Sequence, residues 1–98
     1  MNEYLIEVNF PTSFDDDFKM LSPRQRGLIE LMLDKGIITD FAVSLDDGKI
    51  WLSVIAESEN NARDMIKEFP IYRFITYRIH KLSLHKGVNF AVPQFSLN

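Results

Sequence analysis

The chain contains no cysteine, which removes disulfides, thiolate metal sites and cysteine nucleophiles together. That suits a reducing compartment, and the cytoplasm is the expected location. No apolar stretch approaches the roughly 20 residues of a membrane-spanning helix, so no membrane partner is expected. Met1-Asn2-Glu3-Tyr4 sets no basic region before an apolar run, so no signal peptide is expected either. The sequence holds no phosphate-cradling glycine loop, no nucleophile elbow and no spaced cluster of metal ligands, so neither a cofactor nor a metal is called for. A net charge of −3 lacks the basic excess of a general nucleic-acid binder.

What is present fits one soluble domain. Ninety-eight residues are too few for two independent cores, and 46% hydrophobic with 26% charged residues is a globular composition. The charge is uneven. Residues 69–98 carry Arg73, Arg78, Lys81 and Lys86 but no acid, whereas all fourteen acids precede them. Cross-strand pairing of the last strand with an acidic neighbour accounts for this simply. An anion site for a carboxylate ligand is the functional alternative.

Tyr4, Ile6, Val8 and Phe10 alternate with Leu5, Glu7 and Asn9, a strand with one apolar face that Pro11 ends. The row Asp15-Asp16-Asp17 reads as a solvated loop or helix N-terminus, because consecutive carboxylates cannot all face one ion. Ser22-Pro23-Arg24-Gln25 has the form of a capped helix start, and Gly36 suits the stop after Lys35. Ile37 to Leu45 and Lys49 to Ala56 form two strands around the turn Asp46-Asp47-Gly48. Ser58 caps a second helix whose Ala62, Met65, Ile66 and Phe69 make a narrow stripe, and a long strand is expected from Ile71 to Ser83. The order βαββαβ implies an α+β, ferredoxin-like domain over residues 1–84, with a four-stranded antiparallel sheet and both helices on one face.

Both sheet faces read as substantially apolar, and a bare face would be polar. Leu28, Ile29, Leu31, Met32 and Leu33 also cover more of the first helix than one stripe needs. A second copy covering the open face, sheet against sheet, is therefore expected. Residues 85–98, with Val88, Phe90, Val92, Phe95 and Leu97, read as an arm packed on its own subunit or a partner.

Phe10-Pro11 followed by Phe14-Asp15, the helix-ending Gly36, the junction Phe69-Pro70-Ile71-Tyr72, and Leu82 and His85 give residues 3–86 a likeness to known proteins. Through them the chain resembles the muconolactone isomerase family, within the dimeric α/β-barrel group. The resemblance implies face-to-face sheets, pockets between subunits and proton transfer on a small anionic lactone. Acidic positions of that family's first helix meet Gln25 and Gly27 here, and neither is a base. The chain's own candidates are Glu7 or His80 as catalytic base, Arg78 as anion partner, and Asn9, Trp51 and Phe74 as further ligand-binding residues. Each also has a structural reading. Glu7 pairs with Arg78 across neighbouring strands, His80 is a polar rim residue, Trp51 anchors an interface, Asp40 is a solvated edge charge, and His85 lies past the strand. A non-catalytic binding or assembly module is the alternative function. A cofactor-poor, quinone-forming or a haem-type monooxygenase of the same fold is a lower one; the haem type is compatible with Asn9 and Trp51 but lacks the histidine expected on the second helix.

Overall fold

In the computed structural model, which describes residues 1–11 and 16–86, the expected element order holds. β1 (Asn2–Asn9), α1 (Asp16–Asp34), β2 (Ile38–Ser44), β3 (Lys49–Ala56), α2 (Glu59–Lys67) and β4 (Thr76–Leu82) follow one another, with a 3-10 turn at Tyr72–Phe74. The strands form one antiparallel sheet in the order β2-β3-β1-β4. This is the ferredoxin-like α+β arrangement.

The alternation in β1 decides which face is covered. Tyr4, Ile6 and Val8 are buried together with Leu52, Val54 and Ala56 of β3 and Ile38 of β2. Onto that face α1 lays Ile29 and Met32, and α2 lays Ala62 and Ile66, so both helices share one side. Burial of a large aliphatic side chain contributes about 1.5–3 kcal/mol. Ile6, Leu52, Val54 and Ile66 are fully enclosed and form the centre of this core.

Local signals fix the ends. The Ser58 hydroxyl accepts from the Asn61 amide at 3.1 Å, satisfying a first-turn donor of α2. After α1, Gly36 takes φ 75°, its amide bonds Leu33 O at 3.0 Å, and the Ile37 amide bonds Met32 O at 2.9 Å. That double bond is a Schellman stop, which needs a left-handed residue at this position. Gly48 closes the β2–β3 turn at φ 64°.

Two boundaries differ from the sequence reading. α1 begins at Asp16, not Ser22, and Pro23 lies inside it. Lys19, Met20 and Leu21 are residue types that favour a helix. Proline removes one interior hydrogen bond without preventing the earlier turns from forming. The last strand starts at Thr76, not Ile71, because Thr76 pairs with Asn9 and β1 ends there. Among the described residues no strand partners them beyond Asn9, and residues 71–75 turn on themselves, through Tyr72 N to Phe69 O at 2.9 Å and Phe74 N to Ile71 O at 2.9 Å. The apolar arm read from the sequence lies, beyond Lys86, outside the described residues.

Candidate functional site

The sheet face opposite the helices carries Glu3, Leu5, Glu7 and Asn9 of β1, flanked by Trp51 and Ser53 of β3 and by Arg78 and His80 of β4. It is more polar than the sequence reading made it, because Tyr72 and Phe74 leave the strand and so leave this face. Phe74 is therefore separated from the other candidates. It packs against the helix-side core, with the Arg73 guanidinium 4.7 Å from its ring centroid.

The remaining candidates do come together. Glu7 stands opposite Trp51 on one side and Arg78 on the other. Its Oε2 accepts from Lys49 Nζ at 3.2 Å, and its Oε1 lies 3.9 Å from His80 Nε2. Lys49 Nζ also donates to Asn9 Oδ1 at 2.7 Å. The ion pair thus goes to Lys49 and not to Arg78, the partner expected from the sequence. Lys49 is opposite Asn9 and diagonal to Glu7, and a long side chain spans that diagonal. Arg78 and His80 are exposed, and Arg78 makes no ion pair among the described residues. Glu7 therefore sits among three basic side chains beside a half-buried tryptophan.

A second cluster occupies the other end of this face. His85 Nδ1 lies 2.7 Å from Glu3 Oε2, and its Nε2 lies 2.6 Å from Asp40 Oδ2. The Thr39 hydroxyl donates to the same Glu3 oxygen at 2.7 Å. That hydroxyl, more than any other group, holds the Glu3 carboxyl below its ordinary range, with His85 adding to it. The Glu3 hydrogen bond, followed by the charges of Glu3 and Asp40, raises the His85 imidazole above its usual value. Both ring nitrogens are engaged, so the arrangement ties chain to sheet and leaves no lone pair for chemistry. Asp40 is thus an anchor and not merely a solvated edge charge. Among the described residues no group of three histidine, aspartate or glutamate side chains is placed to hold a metal ion.

No protein-family model matches the chain, and no curated protein matches it.

An apolar cavity lies on the other side of the sheet. It is a cleft of about 440 Å³ between α1 and β2, lined by Phe10, Ile29, Leu33, Phe41, Val43, Leu45, Ile50, Phe69 and Ile71. Gln25 and Arg26 supply polar atoms beside it. It contains none of the candidate catalytic or ligand-binding residues read from the sequence, but two signals for it were present. The first is the apolar excess on α1, where Leu33 lines the cleft and is 38% exposed. The second is the alternation Phe41, Val43, Leu45 on a strand at the sheet edge. Lys49 and the pair Glu3–His85 were the polar contributors that strand-by-strand reading missed.

Proposed function

We propose that the open sheet face binds a small organic anion, with Arg78 meeting its charge, Trp51 and Leu5 its apolar part and His80 beside them, and that a second copy closes the site. The observation that carries this is the cluster around Glu7. Lys49 neutralises that carboxylate and leaves Arg78 as a cationic excess, beside the His80 ring, on a face without helices. Charge-assisted hydrogen bonds to a carboxylate are roughly twice as strong as neutral ones. The muconolactone isomerase likeness supplies the substrate class within this proposal, a carboxylated unsaturated lactone. Its isomerisation takes a proton from one carbon and returns it to another, and Glu7 and His80 are the groups at the site able to accept one.

A non-catalytic binding or assembly module is the second reading. It is favoured by one contact, the Lys49 ammonium that already occupies Glu7 Oε2. Under it Glu7 sets strand pairing and does not act as a base.

Two measurements test the proposal. Light scattering at micromolar concentration reads the oligomeric state, and a monomer there sinks the paired-face arrangement. A thermal-shift series of lactones and aromatic carboxylates then compares the native protein with Arg78→Ala and Glu7→Gln. Ligand shifts lost in Arg78→Ala support the anion site, and shifts unchanged in both variants remove it. Turnover of a lactone that disappears in Glu7→Gln or His80→Gln would separate the isomerase reading from the binding module.

A further inference from the structure

We propose that His85 is a latch tying the residues after β4 over one half of the open sheet face, and that loss of its proton frees that half for a second copy of the chain. The proposal rests on the paired-face reading above and adds its regulation. The first ground is the geometry of the ring. His85 Nδ1 lies 2.7 Å from Glu3 Oε2, and Nε2 lies 2.6 Å from Asp40 Oδ2. Both are as short as charge-assisted hydrogen bonds to a carboxylate. An imidazolium carries an N–H on each nitrogen and donates to both carboxylates, whereas a neutral ring has one N–H and one lone pair. Deprotonation therefore turns one arm of the latch into a lone pair facing a carboxylate oxygen.

The second ground is how little else holds the segment. Among the described residues, the side-chain bonds from residues 83–86 to the sheet are those of His85. Leu84 is 74% exposed, so apolar burial does not fasten it. Both carboxylates keep other partners once the ring leaves. The Thr39 hydroxyl donates to Glu3 Oε2 at 2.7 Å, and the Asp40 side chain is 59% exposed to water. Opening thus strands no buried charge, which is what would make it costly.

The third ground is place. Glu3 pairs with Ile55 and Asp40 with Ser53, so a ring joining β1 to β2 bridges over β3. Ser53 is only 2% exposed, although both helices lie on the opposite side of the sheet. The groups around the ring are few. β1 offers Glu3, β2 offers Asp40, and β3 offers only Ser53 and Ile55, which do not titrate. Lys86 adjoins His85 in the chain, and Lys81 pairs with Tyr4 and so faces the helix side. Carboxylates ordinarily titrate at about 4, so a change from about pH 5.5 to about pH 8.5 acts on the imidazole. The Glu3 hydrogen bond raises His85 above its ordinary 6.5, so the latch is closed below 6.5 and opens as pH rises through the folded value.

Sedimentation of the full chain at about pH 5.5 and about pH 8.5 tests the coupling. The dimer dissociation constant is expected to be about tenfold lower at the higher pH. His85→Gln cannot become a cation and should hold the tighter value at both. His80→Gln removes the other histidine of this face and should keep the native difference. A native dimer whose constant does not change with pH, or a change that His85→Gln retains, overturns the latch and leaves the paired face standing. Absence of a dimer at both pH values, in His85→Gln as well, overturns the paired face and with it the latch's role in assembly. The absence of native cysteine permits a separate reading of the segment itself. Nitroxides on Lys86→Cys and Ala42→Cys, diluted in unlabelled chain, should give one short distance at the lower pH and a longer, broader distribution at the higher. Equal distributions at both would refute the opening.

Discussion

Replacing Gln25 by methionine removes one hydrogen-bond acceptor while nearly conserving length and volume. Gln25 is 7% exposed, and its Oε1 accepts from the Ile71 amide at 3.3 Å. Ile71 is itself 3% exposed, so water cannot readily replace the lost partner. A buried donor left without an acceptor costs about 1–3 kcal/mol. At 3.3 Å the bond lies at the long end of N–H···O distances, which places the loss toward the bottom of that range, about 1–1.5 kcal/mol. For a domain of this size each kcal/mol lowers the melting temperature by about 4–8 °C, so Gln25→Met is expected to melt about 4–12 °C below the native protein. Urea unfolding should show a lower midpoint with an unchanged slope, since the surface exposed on unfolding stays the same. Amide exchange at Ile71 should accelerate in parallel, which ties the loss to this bond and not to repacking along α1. A variant that melts within about 1 °C of native, with Ile71 exchange unchanged, would refute the assignment.

Two further outcomes are expected. Ser58→Ala removes the cap that meets the Asn61 amide and should cost about 1 kcal/mol, seen as a melting temperature about 4–8 °C lower; a melt equal to native would show that the cap contributes nothing. The His85 contact should give stability that depends on pH. His85 is raised above its ordinary 6.5, so its contribution is full below 6.5 and is lost as pH rises through the folded value. Glu3 is lowered below its ordinary 4.5, so its contribution is full above 4.5 and is lost as pH falls through the folded value. The melting difference between native protein and His85→Gln should therefore be largest near pH 5.5 and shrink toward alkaline pH, and a difference constant with pH would refute the ion pairing.

The fold was legible because local patterns and global topology agree. Tyr4, Ile6 and Val8 announce a one-faced strand, Asp46-Asp47-Gly48 a hairpin, Ser58 a cap and Gly36 a stop, and each takes the structure its chemistry favours. The misplaced start of the last strand comes from a tertiary partner that no local window contains. Ile71-Tyr72-Arg73-Phe74-Ile75 has strand composition, but β1 stops at Asn9 and offers those residues no ladder. Ser22-Pro23 has the composition of a helix start. In the folded chain Gln25 is instead a buried acceptor for Ile71, well inside a helix that began at Asp16.

The candidate site was legible in its positions and not in its pairings. Period-2 reasoning put Glu7, Asn9, Arg78, His80 and Trp51 on one face, and the register confirms that placement. Which cation reaches Glu7 depends on side-chain length along a diagonal, and that selected Lys49 over the residue directly opposite. His85 could not be placed at all, because the path of a chain after its last strand has no period to read. Its contact divides the open face. The Glu3–Asp40 end is crossed by the residues after β4, while among the described residues none crosses the Glu7–His80 end. A second copy approaching sheet to sheet has therefore only the Glu7 half available unless the His85 contact opens. The anion-binding and assembly roles proposed for this face converge on Trp51, Arg78 and His80 for that reason, and the groups that would hold a ligand are also those that would meet a partner.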